Sequence, residues 1–434
     1  MDAFLQQAGN LGAFNSEGVF TLSPEQAAKK LARFQLPFEE AWLVKVAQAA
    51  VASGAEQLEV HQARGITFFS FQPAEFLDIQ EVYRVMVSEG DSSVRAIRHL
   101  ASGLRAVGLG KGRPFTLSVE HGSEQSLLGW DGTRLGSAEK KLAGSDKGLL
   151  VQLGVGHPAQ QPEIAASELK ELAARTEASP IPIVINGKRV DHLNAPLIDP
   201  GHGLGSRTEL SVGWCPYDAA VELPPLRLPR GVRLRERGLQ VDDSFTAERT
   251  FLVDGDPLQQ EVCSLVKLSY GYHVSSHRVA TGRFQFHNVP RYSYIHWIRD
   301  GVICESHRWM TEPSAVAFDL YLSADGLPTD ASGLQIVRRP DVAHRIKRAL
   351  PSVCLQAERT AQAITKRFPR PFGSHAAMSV FFGFVCMSEP VAALFKVLLG
   401  GVAASYLGYS MYDKHQLMRD AVRNLQRMSN GLSQ

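Results

Sequence analysis

The stretch between Pro37 and Gly54 constrains this chain more than any other. It reads AWLVKVAQAAVASGA over 41–55, with Lys45 as its one charge. Trp42, Val46, Ala49 and Ala50 recur at helical spacing, and Gly54 supplies a stop at the end. An alternating strand follows at once, Gln57 to His61, and a second one runs from Ile66 to Phe71, rich in aromatic and β-branched residues. Upstream, Ser23-Pro24-Glu25 opens another helix that extends to about Phe34.

The alternation continues. Arg95 to Val107 reads as a helix, and Phe115–Glu120 and Gln125–Trp130 as strands joined by a turn at His121-Gly122. Leu149–Val155 is a strand and Ser167–Thr176 a helix; Ile181–Ile185 is a strand ended by Asn186-Gly187. Helix pairs set among strands predict an α/β sandwich on an antiparallel or mixed sheet.

At 434 residues the chain exceeds one ordinary core, so two domains and an appendage are expected. The Pro-rich run LPPLRLPRG, 223–231, reads as a linker. Beyond it come strand-like runs at Tyr292–Ile298 and Ala317–Leu322 and a basic helix from Val342 to Leu350. The formal net charge of +2 provides no field to draw nucleic acid. Five scattered cysteines without a C-x-x-C pair encode neither a zinc knuckle nor a redox dithiol, and they fit a reducing compartment. MDAFLQQAGN has no basic start and no long apolar run, so it does not read as a signal peptide.

The segment KVAQAAVASGAEQLEV resembles the signature helix and strand of GHKL proteins, the superfamily of gyrase, the heat-shock protein 90 chaperones and the histidine kinases. Further segments follow in the family's order. IRHLASGLRAV (97–107) resembles the lid helix and SDKGLLVQLGV (145–155) a later strand. SELKELAARTEASPIPIVINGK (167–188) resembles the end of the heat-shock protein 90 nucleotide domain. IHWIRDGVICES and LYLSADGLPTDASGLQIVRR resemble that family's middle domain. The resemblance implies an α+β protein in which 1–200 form a GHKL-like sandwich, helices on one face of a mixed sheet. It implies a connector at 201–222, the linker at 223–231, a second α/β domain at 232–358 and a helical region at 359–434.

The family's chemistry is missing. Lys45 stands where the resemblance expects the glutamate that positions water, and a protonated amine is no base. Ala49 replaces the asparagine that holds magnesium, and Ala52 sits at an acidic position. Gln72-Pro73-Ala74-Glu75-Phe76 replaces the D-x-G-x-G loop. Of the lid glycines Gly103 remains, with Ala101 for the other. Leu149 replaces a threonine and Gly333 the γ-phosphate arginine. Losing base, metal ligand and arginine together removes the stabilisation of the transition state. The vestigial pocket positions are thus Lys45, Gln48, Ala49, Ala52, Gly103 and Leu149, with no catalytic residue and no cofactor. The competing reading is a divergent ATPase that recruits Gln48, Glu59 or Asp78 for magnesium and water.

Gly108–Gly112 and Gly201–Gly205 invite a phosphate reading, but turns and connectors have the same composition. His273 and His277 lie in a strand-like run, which would set them about 13 Å apart, too far for one metal. In 376–412 only Glu389 and Lys396 are charged, and Pro390 should break the run into two helices. Basic residues flank the run on both sides, which suits a re-entrant hairpin with both ends cytoplasmic. Membrane, a second copy or the middle domain would cover it. The expectation is a non-catalytic, heat-shock protein 90-like chaperone or scaffold in the cytoplasm, partnered by proteins and not by nucleic acid. A membrane-tethered interaction protein is the third reading.

Overall fold

Ten consecutive residues of the first described helix, Ala41 to Ala50, are buried, so this helix (α1, Ala41–Ala52) is covered all round rather than along one stripe. It ends as the sequence predicts. Gly54 takes φ 69°, and the Ala55 and Gly54 amides close on the Ala50 and Val51 carbonyls at 3.1 Å, the Schellman arrangement. The computed structural model describes residues 36–63, 65–87, 92–142, 147–157, 162–190, 206–216, 223–227, 261–275, 285–288, 292–308, 316–337 and 340–349. The expected helix at 23–34, the glycine run at 201–205, His277 and the apolar segment 376–412 lie outside these residues. Among the described residues no helix is long and apolar enough to cross a membrane.

Two strands follow α1, β1 (Leu58–Ala63) and β2 (Ile66–Phe71), and then two helices, α2 (Ile79–Val87) and α3 (Arg95–Leu104), the latter running on as a π-helical turn over Arg105–Gly110. Next come β3 (Phe115–Gly122), β4 (Glu124–Trp130), β5 (Leu135–Lys141), β6 (Lys147–Gly156), α4 (Pro162–Arg175), β7 (Ile183–Ile185) and β8 (Lys188–Arg189). They form one sheet in the order β5-β4-β3-β6-β2-β1-β7-β8. Every pairing in it is antiparallel except β1 with β7. One row of paired residues, Ile185, Val60, Phe69, Leu153, Leu117 and Leu128, crosses six strands and faces the helices. The neighbouring row carries His61, Phe68 and Thr116 outward; Phe68 is 46% exposed there. The strands therefore alternate as a half-covered sheet should.

The second sheet contains β9 (Ser206–Pro216), β10 (Leu226–Arg227), β11 (Glu261–Ser275), β12 (Gln285–Asn288), β13 (Tyr294–Arg299), β14 (Val302–Arg308) and β15 (Val316–Ser323). Its order is β10-β11-β15-β13-β14, with β9 and β12 also on β11 and a parallel pair, β13 with β15. A helix over 340–349 closes the described chain. The protein is thus mixed α+β with a large mixed sheet.

The expected connector and linker both contain strand. Residues 206–216, in the expected connector, form the long strand β9. Within the expected linker, Leu223 and Leu226 are buried and Leu226–Arg227 pair with β11. The reason is composition: Leu223 and Leu226, on either side of Pro224-Pro225, are apolar enough to bury, and a strand of two residues at a sheet edge tolerates proline beside it. One hydrophobic cluster runs from Trp42 and Phe69 through Trp297 and Leu320 to Ala349, so the two sheets share a core.

Candidate functional site

The hairpin β13–β14 turns on Asp300 and Gly301, at φ 46° and 74°, the backbone that an Asp-Gly pair favours in a two-residue turn. Its tip presses on the end of α1. A Cβ at Gly301 would come 2.6 Å from Pro180 Cδ and 2.8 Å from Val51 Cγ2. Around this contact the first unit, the eight-stranded sheet with its helices, supplies Lys45, Gln48, Arg95 and His99, and the second unit, the second sheet with the chain after β15, supplies Arg299, Asp300, Thr329 and Gly333.

Both Asp300 oxygens are held. Arg95 Nη1 lies 3.0 Å from Oδ1 and His99 Nε2 2.8 Å from Oδ2. Because a carboxylate only accepts, His99 carries its proton on Nε2 and turns Nδ1 toward Lys45 Nζ, 3.4 Å away. Gln48 Nε2 donates to the Arg299 carbonyl at 3.1 Å, while its Oε1 is buried without a partner among the described residues. Arg299 Nη1 reaches Thr329 Oγ1 at 2.7 Å. A Cβ on Gly333 would stand 3.4 Å from Lys45 Nζ.

Electrostatics follow from burial. Desolvation draws Lys45 from 10.5 to about 8, with Arg299 adding to the fall. Desolvation also draws His99 from 6.5 to about 4, against the pull of its Asp300 hydrogen bond. Burial alone would raise Asp300, but the His99 and Arg95 contacts outweigh it and its pKa is lowered. At neutral pH the chain of groups is ammonium, neutral imidazole, carboxylate. Cys304, pushed up to about 12 by burial, is an inert thiol that donates to the Trp297 carbonyl at 3.2 Å.

A second buried network lies at the start of α1. Trp42 Nε1 donates to Glu168 Oε1 at 2.8 Å, and Arg113 Nη1 to the same oxygen at 2.5 Å. Arg113 also holds the Gly156 carbonyl at 2.8 Å and His157 Nδ1 at 3.2 Å, while His157 Nε2 reaches Thr67 Oγ1 at 2.7 Å. It ties α4 to the sheet through α1, and every charge in it is matched.

Of the vestigial positions, Lys45, Gln48 and Ala49 lie together on buried α1, and Ala52 lies at its end beside a cavity. Gly103 is where α3 crosses α1; a Cβ there would meet the Trp42 carbonyl at 2.9 Å and Lys45 Cβ at 3.1 Å. Leu149 is half-buried on β6, packed against the core. The positions that the divergent-ATPase reading recruits lie on three elements, Gln48 on α1, Glu59 on β1 and Asp78 at the start of α2. Glu59 is half-buried on β1 between Leu58 and Val60, accepting from Gln57 at 2.6 Å. Asp78 caps α2, its Oδ1 taking the Gln80 amide at 2.8 Å. Within 108–112, Gly108 has a packing role, with the Phe115 ring 2.5 Å from where its Cβ would be, whereas Gly112 takes φ 68° and a Cβ there would meet nothing within 4 Å. His99, Arg95 and Asp300 were not singled out by the sequence. Asp300-Gly301 is a turn signal of the same kind as Asn186-Gly187, and it alone could have pointed to the hairpin tip.

Among the described residues no group of three or more His, Cys, Asp and Glu could hold a metal. Comparison with family models gives no match, and comparison with curated proteins gives none either.

Proposed function

We propose that this chain is a non-catalytic, heat-shock protein 90-like member of the GHKL superfamily that binds protein partners as a scaffold or chaperone. The observation that carries the reading is the burial of α1. The helix that would face nucleotide is covered over Ala41–Ala50, and its polar side chains are committed to the second unit through Gln48–Arg299 and Lys45–His99–Asp300. Gly333, which the resemblance places at the γ-phosphate arginine, lies beside Lys45, which it places at the catalytic glutamate. A nucleotide would have to part the two sheets to reach them. Helices gathered against one row of the eight-stranded sheet support the superfamily, and the exposed Phe68 offers apolar area to a partner. The partners belong to this proposal as proteins, a second copy among them, and not nucleic acid. The location is cytoplasmic, with 376–412 as the route to the inner face of a membrane.

Calorimetric titration with magnesium-ATP and with ADP tests it. The expected result is no binding heat up to millimolar nucleotide and no hydrolysis. Micromolar, magnesium-dependent ATP binding would overturn it, as would turnover that disappears in Gln48→Ala or Glu59→Ala.

A further inference from the structure

The face of the second sheet turned away from the shared core carries a separate set of polar side chains. Ile295, Trp297, Leu320 and Leu322 belong to the core, so alternation sends His296 of β13 and Tyr321 of β15 to the other face. The register places Ser306 of β14 and Tyr321 on either side of His296, in one row across three strands. Asp319, two positions before Tyr321, shares that face.

These side chains touch in series. Ser306 Oγ lies 2.8 Å from His296 Nδ1, and His296 Nε2 lies 3.5 Å from Asp319 Oδ1. A carboxylate only accepts, so the imidazole proton belongs on Nε2, and Nδ1 accepts from the serine hydroxyl. Neighbouring rings fix the imidazole in that orientation. It stacks on Tyr321 at 4.9 Å and on Tyr294 at 5.9 Å between centroids, and Tyr321 is pinned by its Oη, which donates to Glu177 at 2.6 Å. His296 and Asp319 keep only 13% and 16% of their side-chain surface, whereas Ser306 is exposed. An open nucleophile, a base within hydrogen-bond reach and a mostly buried acid behind the base form the arrangement that activates a serine. The Asp319 contact is long, as such contacts often are before a substrate closes on them. Arg308, two positions along β14 from Ser306, sits over the Tyr292 ring, 3.3 Å from its centroid. It places a positive charge on the face where an acyl oxygen would become anionic.

We propose that Ser306 is an activated nucleophile that takes an acyl group from an activated ester. Its Oγ bonds to the carbonyl carbon while its proton passes to His296 Nδ1, and Asp319 stabilises the resulting imidazolium. The bond from the carbonyl carbon to the leaving oxygen then breaks, and the His296 proton leaves on the alcohol. The product is an acyl-serine on the chain, with no change of oxidation state. This is a covalent modification, remote from α1, and it stands independently of the scaffold reading.

The test treats the full chain with p-nitrophenyl acetate and follows p-nitrophenolate release and the acetylated peptides by mass spectrometry. The expected result is a burst of about one equivalent with the acetyl group on Ser306. Ser137, exposed on β5, is the internal reference and should react at least a hundredfold more slowly. Ser306→Ala should abolish the burst. His296→Gln should slow it at least a hundredfold and Asp319→Asn at least tenfold. If the variants at His296 and Asp319 fail to fold, Ser306→Ala, at an exposed position, and the ratio of Ser306 to Ser137 in the wild-type chain decide. The proposal falls if Ser306 is acetylated no faster than Ser137, as a merely structural hydrogen bond would give. It falls equally if Ser306→Ala keeps the burst, or if folded His296→Gln or Asp319→Asn keeps the full rate.

Discussion

Lys45 is a charge that its surroundings oppose. Its pKa of about 8 against an ordinary 10.5 means that the folded chain holds this proton less tightly than the unfolded one. At neutral pH the buried ammonium costs on the order of 3 kcal/mol. Lys45→Met keeps the stem and removes the charge, so it should raise unfolding stability at pH 7 by up to about that amount, read from urea denaturation. The pH dependence has two arms, both rising with pH because the unfolded chain binds more protons in each. Between about 4 and 6.5 the arm belongs to His99, whose neutral ring is stabilising above that window and lost on acidification through it. Between about 8 and 10.5 the arm belongs to Lys45, and it should vanish in Lys45→Met while the acid arm persists. A stability curve flat from pH 4 to 6.5, or an alkaline rise that survives Lys45→Met, would refute the assignment. None of this was visible from Lys45 alone. His99 is 54 positions away and Asp300 another 201, and no local pattern links residues so distant.

At the scale of elements the turns decide how the units meet. The Asn186-Gly187 and Asp300-Gly301 hairpins share one backbone, with Gly187 at φ 77° and Gly301 at φ 74°. They differ in surroundings: a Cβ at Gly187 meets nothing within 4 Å, whereas at Gly301 it meets Pro180 and Val51. Gly187→Ala should therefore cost only the left-handed strain, about 1 kcal/mol. Gly301→Ala adds overpacking, for a total of roughly 3 kcal/mol or more. Equal losses in thermal denaturation would mean that the hairpin tip does not seat on α1. The elements that the sequence made legible have strong local signals, such as the Gly54 stop, the aromatic run Ile66–Phe71 and the Asn-Gly turn. The strand β5, LGSAEKK, escaped because it is polar and exposed along nearly its whole length, so it shows no alternation to read. The short α2 buries Ile79, Val82, Val85 and Met86, but its nine residues are too short a window for the helical period to stand out.

At the scale of the whole molecule, the shared core makes a claim that a chain of two linked domains would not. The resemblance implies a nucleotide domain and a middle domain, each with its own interior, separated by a connector and a linker. The buried cluster instead passes from Trp42 to Trp297 without a break. Polar ties reinforce it: Arg175 Nη1 donates to the carbonyls of Ile303 and Cys304 at 3.0 and 3.1 Å, and Tyr321 Oη donates to Glu177 Oε1 at 2.6 Å. Separating the sheets would expose the apolar residues of α1 on the side facing the hairpin, at a cost of about 25 cal/mol for each Å² of apolar surface uncovered. The two units should accordingly unfold together. Calorimetry should show one transition across the described core, with calorimetric and van't Hoff enthalpies in agreement. Hydrogen exchange at the slowest amides of β2 and β13 should report one common opening free energy. A fragment ending at residue 190 should fail to fold by itself, because its central helix would lose the cover that the second sheet provides. Two resolved transitions, or a stable 36–190 fragment with native-like exchange protection in β2, would show that the joint is a docking contact between independent domains.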